Sequence, residues 1–194
     1  DDICRSLVER GLGDVQVAAG ERLSYDDERI IEGTAAELAE MTFENLTVML
    51  AVNPKPVARA FAAPSLADGD FLRGKAPMTK EEVRALVISK LHIAAGHTVW
   101  DVGAGTGSVS VEAALAVSRG TVCAIERNGD AIELMRKNRE AFGLTNLVVV
   151  EGEAPAALAD LPAPDRVFIG GAAGNLDDII ETALSANPCA RICV

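Results

Sequence analysis

The chain has 194 residues, with 29 acidic against 18 basic side chains and a formal net charge of −11. That length is enough for one sizeable core and part of a second, and the acidity argues against a polynucleotide surface, where phosphates demand clustered Lys and Arg. No apolar run is long enough to span a membrane, and the opening residues do not read as a signal peptide.

The elements divide at a proline-rich stretch. Residues 1–11 read as a helix stopped at Gly11, residues 15–19 as a strand, and 34–41 as a short helix in which Thr34 and Glu37 have capping-box spacing. Residues 46–52 are a strong strand. This segment, 1–53, carries 12 acids against 4 bases and reads as the tail of a domain whose beginning lies elsewhere. Residues 54–65, with Pro54, Pro56 and Pro64, read as a linker. Thr79 and Glu82 then have capping-box spacing at the start of a helix, whose buried face is expected to be Val83, Leu86, Val87 and Leu91. Strands at 98–102, 121–126, 147–151, 166–170 and 190–194 alternate with helices at 108–118, 130–142, 154–161 and 176–186. Repeated β-α units of this length predict an α/β, Rossmann-like, doubly wound parallel sheet over 66–194. Its last strand looks interrupted, as though the final strands of such a sheet were missing.

Residues 99–107 read Val-Trp-Asp-Val-Gly-Ala-Gly-Thr-Gly. A strand, a glycine loop and a helix in succession bring backbone close to a ligand and aim helix amides at it. The dinucleotide fingerprint places its third glycine five residues after the first, where this chain has Ser108. The Gly103, Gly105, Gly107 spacing instead resembles the S-adenosylmethionine loop of class I methyltransferases. Glu126, at the end of the next strand and 19 residues after Gly107, suits a ribose partner, because a carboxylate accepts from both hydroxyls of a diol. The same resemblance implies that Asp101 either orients the cofactor's amino group through water or satisfies loop amides.

Other chemistry is sparse. His92 and His97 bracket a turn on the far side of the sheet, and no Ser/His/Asp or Cys/His order stands out, so no catalytic residue is assigned. Cys4, Cys123, Cys189 and Cys193 lack metal-ligand spacing and read as reduced thiols of a cytoplasmic protein without a metal. Residues 71–90 carry 5 bases and 2 acids, the reverse of the chain as a whole. Residues 170–174, Gly-Gly-Ala-Ala-Gly, read either as room for a bulky planar substrate or as a flexible turn into the helix that begins near Leu176.

The run Phe-Leu-Arg-Gly-Lys-Ala-Pro-Met-Thr-Lys-Glu-Glu-Val-Arg-Ala at 71–85, with 99–107, Ala-Ile-Glu-Arg at 124–127, Glu-Gly-Glu-Ala-Pro at 151–155 and Phe-Ile-Gly-Gly at 168–171, closely resembles the decarboxylating precorrin-6Y C5,15-methyltransferase family of cobalamin biosynthesis. The resemblance covers 66–194 and is to the domain that methylates carbon 15. Residues 1–53 look like the end of the fused tetrapyrrole methylase domain that acts at carbon 5. The resemblance implies S-adenosylmethionine bound by Thr79, Gly103, Ala104, Gly105, Thr106, Gly107, Glu126 and Ala154. The family usually has Asp where this chain has Glu153, which puts a direct carboxylate contact to adenine in question. A tetrapyrrole substrate carries many carboxylates, and Arg73 and Lys75 are expected to dock them, with Lys80 and Arg84 on the following helix. The family also implies a homo-oligomer, a tetramer. Competing readings are a class I methyltransferase acting on RNA or protein, and a cofactor-binding module without activity.

Overall fold

The computed structural model describes residues 2–55 and 66–194. The expected linker therefore lies, from 56 to 65, outside the described residues. The chain forms two compact units, residues 1–58 and 59–194.

The first unit contains α1 (Asp2–Glu9), β1 (Gln16–Glu21), β2 (Arg29–Thr34), α2 (Ala35–Leu38) and β3 (Thr47–Val52). Its sheet is antiparallel with β1 in the centre, in the order β2-β1-β3. Val17 and Ala19 on one face of β1 pack with Cys4, Ala35 and Leu38. The capping box forms as its spacing predicts: Glu37 N–H donates to Thr34 Oγ1 at 3.2 Å, and Thr34 N–H to the Glu37 carboxylate at 2.7 Å. β2 is a strand that sequence reasoning missed. Its apolar content is one Ile-Ile pair, too short for a periodic signal, and the strand exists because its backbone pairs with β1 over six positions.

The second unit contains α3 (Glu81–Leu91), β4 (Thr98–Val102), α4 (Ser108–Ala116), β5 (Thr121–Glu126), α5 (Gly129–Ala141), β6 (Leu147–Glu151), β7 (Arg166–Ile169), α6 (Leu176–Ala186) and β8 (Arg191–Cys193). The five strands are parallel, in the order β6-β5-β4-β7-β8. Residues 154–161, expected as a helix, supply a single 3-10 turn at Ala156–Leu158. Neighbouring strand residues serve opposite cores. Val99, Val122 and Phe168 join one cluster with α3, α4 and α5, while Trp100, Cys123 and Val167 join another with α6. Burial on both faces explains why these strands read as unbroken apolar runs. The order reverses direction between β4 and β7, since the chain builds outward from β4 first to β5 and β6, then to β7 and β8. Ligands of open α/β sheets bind at such a switch point, beyond the carboxyl ends of the strands.

α3 departs from expectation twice. Its N-cap is Lys80, and no side chain caps it, so the Thr79–Glu82 capping box does not form. Its buried stripe is Arg84, Val87, Ile88 and Leu91, whereas Val83 and Leu86 are 53% and 56% exposed. The cause is Arg84, whose guanidinium is fully buried. It donates to Glu112 at 2.8 Å, Asp68 at 3.2 Å and the Thr79 carbonyl at 2.7 Å, and also to the Leu66 carbonyl. It also lies 4.7 Å over the Phe71 ring. A buried charge with that many partners outweighs the pull of two aliphatic side chains on which way the helix turns. Arg84 is therefore not available to dock a substrate carboxylate, and Lys80 pairs with Asp68 at 3.3 Å.

Candidate functional site

A cavity of about 360 Å³ opens at the switch point. Its floor is the end of β4 and the loop after it: Val102, Gly103, Ala104 and Gly105. The end of β5 adds Glu126, Arg127 and Asn128, the end of β6 adds Gly152, Glu153 and Ala154, and the end of β7 adds residues 170–173. The fourth wall, Ala76, Pro77 and Thr79, comes from the segment before α3.

The glycines are required by close approach. Gly103 has φ +74°, and a Cβ there would lie 2.6 Å from the Gly171 carbonyl oxygen. Gly105 has φ +57°, and a Cβ there would lie 2.7 Å from the Pro77 carbonyl oxygen. The loop is thus pressed between β7's exit and the segment before α3.

Glu126 is held by backbone. Its Oε2 accepts from Gly105 N–H at 2.8 Å, and its Oε1 accepts from Arg127 and Asn128 N–H, both at 2.9 Å. Three of the carboxylate's four lone-pair directions are therefore engaged, which fixes its orientation and leaves about one for a ligand hydroxyl. At the rim, Arg127 and Glu153 form an ion pair at 2.9 Å between two half-exposed side chains. Glu153 is thereby turned to protein.

Asp101 sits beneath the loop rather than in the cavity. It is buried, and Ser110 Oγ donates to its Oδ2. Burial pushes its carboxyl up to about 6, and the nearby Glu126 charge adds to the rise. Its Oδ1 has no partner among the described residues.

Of the residues expected at the cofactor, Thr79, Gly103, Ala104, Gly105, Glu126 and Ala154 line this cavity together. Thr106 and Gly107 do not. Thr106 is fully buried under the loop, and Gly107 faces α5, where a Cβ would meet Met135 Cγ at 2.5 Å. They lie in the turn into α4, past the run of four consecutive residues, Val102 to Gly105, that lines the cavity. Arg73 and Lys75 are exposed and lie outside the lining, although Lys75 adjoins Ala76. Sequence reasoning missed Ala76, Pro77, Arg127 and Asn128. The last two directly follow β5, so position at a strand's carboxyl end was the available signal. His97 accepts from Ala94 N–H at 2.9 Å, just before β4 and at the opposite end of that strand from the cavity. Burial raises the Cys123 thiol to about 11, which leaves it no thiolate character. Among the described residues, no cluster of His, Cys, Asp and Glu has the grouping to hold a metal, and no helix is long and apolar enough to cross a membrane.

Residues 70–194 match the family model described as "Precorrin methyltransferase domain". The chain belongs to that family. A relative from Sulfurisphaera tokodaii, named as a probable cobalt-precorrin-6B C(15)-methyltransferase (decarboxylating), is 50% identical over 111 residues, 56% of this chain and 58% of its own length. A Sinorhizobium relative named precorrin-6Y C(5,15)-methyltransferase [decarboxylating] is 36% identical over 186 residues, 95% of this chain but 45% of its own length. The chain thus spans about half of each curated relative. A solved precorrin-6y C5,15-methyltransferase from Geobacter metallireducens has 42% identity and a TM-score of 0.60, over 62% of this chain and 64% of that one. The fold of this precorrin methyltransferase domain is α/β and Rossmann-like, and its strand order and glycine loop agree with those of class I methyltransferases.

Proposed function

We propose that this chain is an S-adenosylmethionine-dependent methyltransferase that methylates carbon 15 of a precorrin with decarboxylation of the ring-C acetate, whose carboxylate leaves as carbon dioxide while its methylene stays as a methyl group, in cobalamin biosynthesis. The observation that carries this reading is the Glu126 carboxylate, fixed by three amides beside Gly103–Gly105 at the switch point of a precorrin methyltransferase domain. The cradle fits the cofactor on four counts. Side chains at Gly103 and Gly105 would have no room, so backbone meets ligand there. Glu126 offers an acceptor to the ribose. Glu126 and Glu153 outnumber Arg127 among the charged lining residues, which suits a sulfonium cation. The aliphatic Ile125 and Ala154 give the adenine an apolar bed.

S-adenosylmethionine supplies an electrophilic methyl group, and the chain's task is to place the acceptor carbon in line with it. The three titratable groups that line the cavity are all occupied, Glu126 by amides and Arg127 and Glu153 by each other. Placement and exclusion of water, rather than proton transfer by a free side chain, are what this site offers. Residues 170–173, which line the cavity beside β7, bear no bulky side chain, which suits a planar macrocycle. Arg73 and Lys75, exposed beside the Ala76–Pro77 wall, dock its carboxylates by charge-assisted bonds. Residues 1–53, within the first unit, are the tail of a tetrapyrrole methylase domain that acts at carbon 5. The alignment of 186 residues with the Sinorhizobium relative supports this, since it runs through both units.

The test is incubation of the chain with S-adenosylmethionine and a precorrin-6 type tetrapyrrole, read by mass spectrometry. The expected product is one methyl group heavier and one carbon dioxide lighter. A methylated product that retains all carboxyls sinks the decarboxylating part, and methyl transfer to tRNA instead sinks the substrate class.

A further inference from the structure

The cavity wall made by Ala76, Pro77 and Thr79 belongs to residues 66–80, a segment with no strand and no α-helix, only a 3-10 turn at Asp68–Asp70. Such a segment has no ladder of backbone bonds to hold it in register, and its position must come from side chains. Two buried polar residues supply it. Asn138, on α5, is fully buried. Its Oδ1 accepts from Leu72 N–H at 2.8 Å, and its Nδ2 donates to the Leu72 carbonyl at 3.1 Å and the Thr106 carbonyl at 3.0 Å. One amide side chain therefore ties the segment before α3 to the glycine loop. The assignment of O and N is fixed by these partners, because a flipped amide would set its NH₂ against Leu72 N–H. Arg84 fastens both ends of the same segment through the Leu66 and Thr79 carbonyls, and Ser108 Oγ adds a weaker bond to Thr79 O at 3.4 Å.

An apolar side chain at position 138 would make none of these bonds and would leave the Leu72 and Thr106 backbone groups without them. A buried amide there gains little net stability from its hydrogen bonds, yet it specifies where two backbones meet. We propose that Asn138 and Arg84 are positioning residues for cofactor binding: they strap residues 66–80 across the glycine loop and so fix one wall of the cavity. The proposal rests on the cofactor reading above. It locates part of the cofactor affinity in residues that touch no ligand.

The experiment combines calorimetry with S-adenosylhomocysteine and amide hydrogen exchange on the full chain, for the wild type, Asn138→Ala and Arg84→Lys. Arg84→Lys keeps a charge beside Glu112 but cannot span the two carbonyls. The expected result is faster exchange at Leu72 and Gly74 N–H in the variants, an unchanged rate at Trp100 N–H in β4, and a Kd raised about tenfold. Faster exchange in the strap with a Kd within about twofold of wild type overturns the proposal, as does an unchanged strap. A variant that loses protection at Trp100 as well is unfolding, and the unmodified protein then decides. Saturating S-adenosylhomocysteine should slow exchange at Ala76 and Met78 N–H, and no slowing there overturns the proposal. A wild-type chain that binds no S-adenosylhomocysteine overturns the cofactor reading itself. That outcome is distinct from one in which the wild type and its variants bind equally well.

Discussion

Gly105 donates its amide to the Glu126 carboxylate at 2.8 Å, which joins the loop after β4 to the tip of β5. The bond spans 21 residues of sequence and makes one rigid corner out of two motifs. Glu126→Gln keeps the size but removes the charge, and it turns one of the two acceptor oxygens into an NH₂ that faces a backbone N–H. The expected outcome is a Kd for S-adenosylhomocysteine raised about tenfold or more by calorimetry, with the strands still folded by circular dichroism. Unchanged affinity would remove Glu126 from the site.

Gly103 and Gly171 face each other but are not equivalent. A Cβ on Gly103 would strike Gly171 backbone at 2.6 Å, while the nearest atom to a Cβ on Gly171 is Gly103 Cα at 3.8 Å. Gly103→Ala also pays for its left-handed φ, about 1–2 kcal/mol before any clash. Thermal unfolding should show Gly103→Ala lowering Tm by at least about 4 °C and Gly171→Ala by much less. Equal shifts would contradict this packing.

Asp101 makes stability depend on pH. Its folded value of about 6 stands above its ordinary 3.8, chiefly through burial. Below pH 3.8 both states hold the proton and the group contributes nothing. Between 3.8 and 6 the unfolded chain releases its proton first, so stability falls as pH rises, by about 3 kcal/mol in total. Above 6 the loss is complete. Urea unfolding across pH 4–7 should show this slope in the wild type and a flatter one in Asp101→Asn.

Arg84 and Glu112 are buried together, at 0% and 2% side-chain exposure. Arg84→Met leaves Glu112 charged and unpaired and should cost about 3–5 kcal/mol in urea unfolding. Glu112→Gln in the same chain should recover part of that by removing the stranded charge. If the double variant is as unstable as the single one, the cost lies in the lost carbonyl contacts instead.

The parallel sheet was readable because buried strands have an unmistakable composition, and the glycine loop with Glu126 was readable because their chemistry depends on spacing along the chain. β2 was not, since its strand character comes from pairing with β1 rather than from its own residues. The face of α3 was misread for a related reason. Val83 and Leu86 look like core by periodicity, but Arg84 has its partners on α4, in the 3-10 turn and along the strap, and no local pattern announces them.

The sequence by itself determined the α/β architecture, the five parallel strands and the acid-and-glycine corner that lines the cavity, because these follow from local periodicity and from which residues permit close backbone approach. Only the tertiary structure decided which loop residues face the cavity, that Thr106 and Gly107 turn away from it, and that a strap 66–80 forms its fourth wall. Those outcomes depend on buried hydrogen bonds between residues as far apart as Leu72 and Asn138. The energy of such a bond is set by desolvation in the folded core, so it has no value until the chain has folded around it.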